Sequence, residues 1–84
     1  MTVFVLVHTN SYDCDTTTKI LGVFKTKAKA LERFKKEKEL IIKEYKEQEY
    51  EEDFRETDGR KGHFYISATE GWDNLDIERV IVED

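Results

Sequence analysis

Lys27-Ala-Lys-Ala-Leu-Glu-Arg-Phe-Lys-Lys-Glu-Lys-Glu-Leu-Ile-Ile-Lys-Glu-Tyr-Lys-Glu-Gln48 is the stretch whose reading decides the fold. At about 100° per residue, Ala30, Leu31, Phe34, Ile41, Ile42 and Tyr45 fall within roughly a third of a helix circumference, the width of a core-facing stripe. Thr26 precedes this run as an N-cap, since its hydroxyl can accept from amides of the first turn. The pattern predicts one helix from Lys27 to about Gln48, roughly 33 Å long against about 20 Å for a six-residue strand, so that the helix overhangs its sheet. Lys38 falls near the centre of the stripe, where an ammonium must snorkel to water, and Leu40 projects from the opposite side as a contact residue.

Upstream, Val3-Phe4-Val5-Leu6-Val7 is apolar on both faces and reads as an interior strand. The polar stretch from Thr9 to Thr18 consists of residues that favour turns, and reads as a long hairpin loop. Lys19 to Phe24 resumes as a second strand, with Gly22 marking a bulge or a close backbone approach. Downstream, residues 49–62 carry many acids around Tyr50 and Phe54 and end in an Asp58-Gly59 turn; the charges leave open whether 49–56 prolong the helix. His63 to Thr69 alternates as a half-buried strand, Glu70 to Asn74 reads as a turn, and Ile77 to Val82 as the last strand.

The element order is therefore ββαββ. It predicts an α+β fold and a single domain, 1–84, with one long helix packed on one face of a four-stranded antiparallel or mixed sheet and the first strand inside. Too few apolar residues remain for a second layer, so the other face is polar or closed by another chain, and homodimerisation is an option. Alternation of strand direction would put loops 9–18 and 49–62 at one end, with His8, Asp13, Asp15 and His63. The 70–75 turn, Lys25 and the helix N-terminus would then share the other end.

Val-Phe-Val-Leu-Val-His at the start, then Ile-Leu-Gly-Val-Phe-Lys-Thr followed by Ala30 and Phe34 on a basic helix, resembles small uncharacterised ββαββ proteins of bacteria and their phages. The likeness covers about the first 45 residues. It implies a small accessory or phage-encoded protein and carries no functional residues across.

The chain has 84 residues, 14 basic and 19 acidic, with no proline, one cysteine and a formal net charge of −5. A hydrophobic fraction of 38% is too high for a disordered polyelectrolyte, even with mean hydropathy at −0.72. A chain this short has no length for a catalytic insertion. Cys14 alone makes no internal disulfide, and flanking acids disfavour its thiolate, which fits an incidental thiol in a reducing, cytoplasmic setting. The apolar run at the start is too short for a signal or a membrane span. Residues 27–48 hold eight bases and five acids, while 49–84 hold four bases and twelve acids. The helix lysines alternate with glutamates at helical spacing, which solvates that face and argues against nucleic-acid binding. The acidic half suits a basic protein partner.

No phosphate loop, nucleophile elbow or dinucleotide fingerprint is present, so no enzyme, cofactor or metal is expected. Asp13 and Asp15 resemble the opening of a calcium loop that lacks its glycine and distal glutamate. Leu40, Trp72, Tyr12, Phe54, Glu51, Glu52 and Asp53 are the candidate interaction residues. The expected function is a non-enzymatic protein-binding module, a phage-encoded or accessory modulator of a host protein, acting through the open sheet face and the acidic C-terminal half. The alternative is a small-ligand or metal-binding domain at the loop 9–18 and 49–62 end, using His8, Asp13, Asp15 and His63.

Overall fold

The computed structural model describes residues 1–12, 15–47, 52–55, 62–68 and 71–83. Helix α1 spans Lys27–Glu47. Thr26 starts it: the Lys29 amide donates to the Thr26 hydroxyl at 3.3 Å, and the Ala30 amide donates to the Thr26 carbonyl at 3.3 Å. The stripe read from the sequence is the face that meets the sheet, with Ala30, Phe34, Ile41 and Tyr45 buried and Leu31 and Ile42 packed beside them. Lys38 resolves its central position by reaching over a ring, its Nζ lying 5.8 Å from the Phe64 centroid. Leu40 is 60% exposed.

The strands are β1 (Thr2–Tyr12), β2 (Asp15–Phe24), β3 (Glu52–Arg55), β4 (His63–Ala68) and β5 (Gly71–Ile81). They form one antiparallel sheet in the order β2-β1-β5-β4-β3. The ββαββ arrangement holds, with one long helix over one sheet face and β1 inside, and the short β3 joins at the edge. Residues 48–51 and 56–61 are outside the described residues, and with them the prolongation of the helix and the Asp58-Gly59 turn.

Two expectations of length change. β1 and β5 each have 11 residues and run about 36 Å, against about 32 Å for the 21-residue helix, so the helix does not overhang the sheet. The stretch read as a loop is mostly ladder: Thr9, Asn10, Ser11 and Tyr12 pair with Thr18, Thr17, Thr16 and Asp15. Threonine is β-branched and fits a pleated, half-exposed surface, so the turn preference of its neighbours yields to cross-strand pairing. The turn read at 70–74 is likewise strand from Gly71 onward, pairing with β1 on one side and β4 on the other. Gly71 permits this, because a Cβ there would collide with the Ser11 carbonyl and the Tyr12 ring.

β3 also reverses the direction of everything after it. Because β3 pairs antiparallel with β4, β4 runs the same way as β1, and β5 lies between them running the other way. The register therefore sets Gly71 opposite Tyr12 and Thr2 opposite Ile81. Residues 71–75 lie at the Tyr12 end of β1, and the 70–75 turn read from the sequence is not placed, as simple alternation suggested, at the helix N-terminus. Gly62, at φ 82°, makes the left-handed step that enters β4, and its carbonyl accepts from the Ile77 amide at 2.9 Å.

Leu6, Phe64, Ile66, Leu75 and Ile77 face α1 and form the core with the four buried helix residues. The period of two then turns Val3, Val5 and Val7 to the other face, where Val80, Val23 and Ile20 stand opposite them in the register. Among the described residues no element covers that face. None of the described helices is long and apolar enough to cross a membrane.

Candidate functional site

Two arrangements stand out, one on each sheet face. On the helix side, Asp73 is 4% exposed, the one buried charged residue among those described. It sits inward because β5 alternates Asp73, Leu75 and Ile77 toward α1. Three side chains from two elements, β1 and α1, converge on its carboxylate. His8 Nε2 lies 2.7 Å from Oδ1, the Tyr45 hydroxyl donates to Oδ2 at 2.7 Å, and the Tyr12 hydroxyl donates to the same oxygen. The two tyrosine hydroxyls are 3.4 Å apart. An ionised carboxylate only accepts, so His8 presents its Nε2 hydrogen to it. The cluster ties the far ends of β1 and β5 to the last turns of the helix.

Burial alone would raise the Asp73 pKa, but the hydrogen bonds from His8, Tyr12 and Tyr45 favour the ionised form and hold it below the ordinary carboxylate value. Tyr12 is pushed up to about 12, first by burial and then by its bond to Asp73. Tyr45 is raised further, by burial first and then by its bonds to Tyr12 and Asp73. A phenol whose pKa is raised on folding contributes stability that is complete below the unfolded value of 10.0 and is lost as pH rises through the folded value. The urea midpoint is therefore expected to fall steadily above pH 10, and the double substitution Tyr12→Phe with Tyr45→Phe to flatten that fall. Urea melts between neutral and strongly alkaline pH read both; an unchanged slope in the double variant would refute the assignment.

On the opposite face, Val3, Val5, Val7, Ile20, Val23 and Val80 form an aliphatic patch over β2, β1 and β5. Ile20 and Val23 are 68% and 60% exposed. Beside it along β5 come Glu78, Asp76, Asn74 and Trp72. Trp72 leans on Tyr65 of β4, centroids 6.1 Å apart and planes inclined by 34°. His63 Nδ1 lies 2.6 Å from Asp76 Oδ1, and Asn74 donates to the other oxygen of Asp76.

The structure thus separates the two histidines. His8 faces the helix and joins Asp73, while His63 faces away and joins Asp76. Asp15 opens β2 opposite Tyr12, and Asp13 and Cys14 are outside the described residues. Among those described, no group of three or more histidine, cysteine and acidic side chains is placed to hold a metal ion. Trp72 is on the open face, Tyr12 is in the Asp73 cluster, and Leu40 is on the outer face of α1. Glu52, Asp53 and Phe54 lie in β3, where they pair with Ala68, Ser67 and Ile66; Glu51 is outside the described residues. Surface hollows along α1 are lined by lysines and glutamates together with Ile42 and Leu40, with Arg33–Glu37 at 2.9 Å and Lys43–Glu47 at 3.9 Å making the expected i,i+4 pairs.

Asp73 and Tyr45 are the residues that sequence reasoning missed as a pair. A signal existed: Tyr45 ends the apolar stripe with a hydroxyl that needs a partner, and extending the Leu75, Ile77 alternation backwards brings Asp73 inside.

A family model described as "Domain of unknown function (DUF7336)" matches residues 1–66. No curated protein and no solved structure matches the chain.

Proposed function

The chain belongs to the DUF7336 family of domains of unknown function, which brings no assigned activity, and we propose that it is a non-enzymatic protein-binding module whose docking surface is the open sheet face. One observation carries this reading. Aliphatic side chains are exposed together on a face that, among the described residues, lacks a second layer, with Ile20 and Val23 more than half exposed at its β2 side. A one-sided antiparallel sheet that meets only water normally alternates to polar residues on that side. The neighbouring Asp76 and Glu78 add negative charge along β5, which suits a partner that combines an apolar contact with basic groups. The Tyr65 and Trp72 pair supplies the rigid aromatic area typical of binding hot spots. The resemblance to small proteins of bacteria and phages supports a cytoplasmic accessory role, the modulation of a host protein.

The ligand or metal alternative has no comparable support. His8 is engaged by a buried carboxylate, and His63 sits on the other face.

A photo-crosslinking residue at Val23 tests the proposal against the same residue at Lys35 on the outer helix face. In native lysate, Val23 is expected to give a discrete protein adduct that Ile20→Lys and Val80→Lys diminish. An equal adduct pattern from Lys35, or one insensitive to Ile20→Lys and Val80→Lys, would sink it.

A further inference from the structure

β2 is an edge strand, paired with β1 on one side and, among the described residues, with nothing on the other. Such an edge presents a row of backbone N–H and C=O groups that another extended chain can pair with, and natural edges are usually blunted by proline, bulges or charge. From Asp15 to Ile20 there is no proline, the register shift lies beyond Ile20, and every side chain is exposed. The charges on this segment are Asp15 and Lys19. They share a face, since they stand opposite Tyr12 and His8, which are themselves four apart on β1. Four residues of strand span about 13 Å, too far for the two to pair with each other. Among the described residues neither has an ion-pair partner.

We infer that β2 pairs antiparallel with β2 of a second copy of this chain, about a two-fold axis through Thr17. In that register Asp15 stands opposite Lys19 of the second copy, and Lys19 opposite its Asp15. Thr16 meets Thr18, and Thr17 meets itself. An axis one residue further on, through Thr18, sets Lys19 against Thr17 and Asp15 against Leu21 and leaves both charges without a partner. Opposite charges and threonines directly across antiparallel strands are favourable pairs, and the two-fold axis makes the Asp15–Lys19 and Thr16–Thr18 pairs twice each. The helix does not obstruct the approach, because Asp15, Thr17 and Lys19 on its side of the sheet are exposed. The contact occupies the edge and leaves the open face free, so it stands or falls independently of the docking surface proposed above.

Sedimentation equilibrium of the full chain at high micromolar concentration is expected to give twice the 10.0 kDa chain mass. Lys19→Asp sets like charges opposite each other and is expected to weaken the dimer about tenfold or more, and adding Asp15→Lys to restore it. Directly opposed Cα atoms in an antiparallel pair lie about 4.5 or 5.5 Å apart, both within disulfide reach. In a Cys14→Ser background, Thr17→Cys should therefore oxidise to a linked dimer, and Thr18→Cys, which faces Thr16, should not do so comparably. A monomer at every concentration, a charge swap that fails to restore association, or equal crosslinking from Thr18→Cys would each overturn the inference.

Discussion

Asp73→Ala is expected to lower the unfolding free energy by about 3 kcal/mol at neutral pH, because it removes the carboxylate on which His8, Tyr12 and Tyr45 converge. His8 and Tyr12 are partly exposed and can turn to water, which limits their share of the loss. Tyr45 is 2% exposed, so its hydroxyl loses the Asp73 acceptor where water has little access and bears most of the cost. In a domain of this size the change corresponds to a drop in Tm of about 12–24 °C. Asp73→Asn should not rescue it, since the amide nitrogen would be one more donor among donors. The same carboxylate sets the acid limb. Its pKa is lowered on folding, so its contribution is present above the unfolded value of 3.8 and is lost as pH falls through the folded value. Urea melts at neutral and acid pH test both statements; a loss of under about 1 kcal/mol at neutral pH would mean that water replaces the carboxylate.

Phe34→Ala carries the other large effect, about 3–5 kcal/mol. Phe34 is 1% exposed at the middle of the helix stripe, in one core with Leu6, Phe64 and Ile66. A small domain has little surrounding structure able to collapse into the void left by a phenyl ring, and its whole stability is of the same order as the loss. The variant is expected to be largely unfolded at physiological temperature by far-UV circular dichroism. Phe34→Leu keeps most of the volume and should remain folded with a visibly lower midpoint. A fully folded Phe34→Ala protein would mean that the helix is held to the sheet mainly at its C-terminal end, by the Asp73 cluster.

Much of this architecture is legible before any coordinates. The helix, its cap at Thr26 and its buried stripe follow from a period of 3.6, which neighbouring residues set among themselves. Leu40 and Lys38 are outliers in the sequence for the same reasons that they are outliers in the fold. The polar hairpin was harder to read, because Thr, Asn and Ser favour local turns and reveal their strand preference only once another strand lies alongside. β3 was harder still. Glu52-Asp53-Phe54-Arg55 is short and charged, and its pairing with β4 joins segments that no local pattern connects.

That short strand had the widest consequences for the candidate site. With β3 in place, β5 enters at the Tyr12 end and carries Asp73 to His8 and Tyr45; without it, direction alternation sends the 70–75 segment to the other end. His63 stands opposite Asp76, which Val7 flanks on the other side, and so takes the sheet face opposite to that of His8. By itself the sequence determined the helix and the apolar segments of the strands, that a single helix covers a single sheet face, and that apolar side chains stand on both faces of β1. Those properties depend on composition and periodicity, which are local. The tertiary structure alone decided strand direction, the register that sets Tyr12 against Gly71, and the meeting of a carboxylate, an imidazole and two phenols. Each of these depends on which distant strands pair, and a shift of one residue or one added strand sends every later side chain to another face or another end.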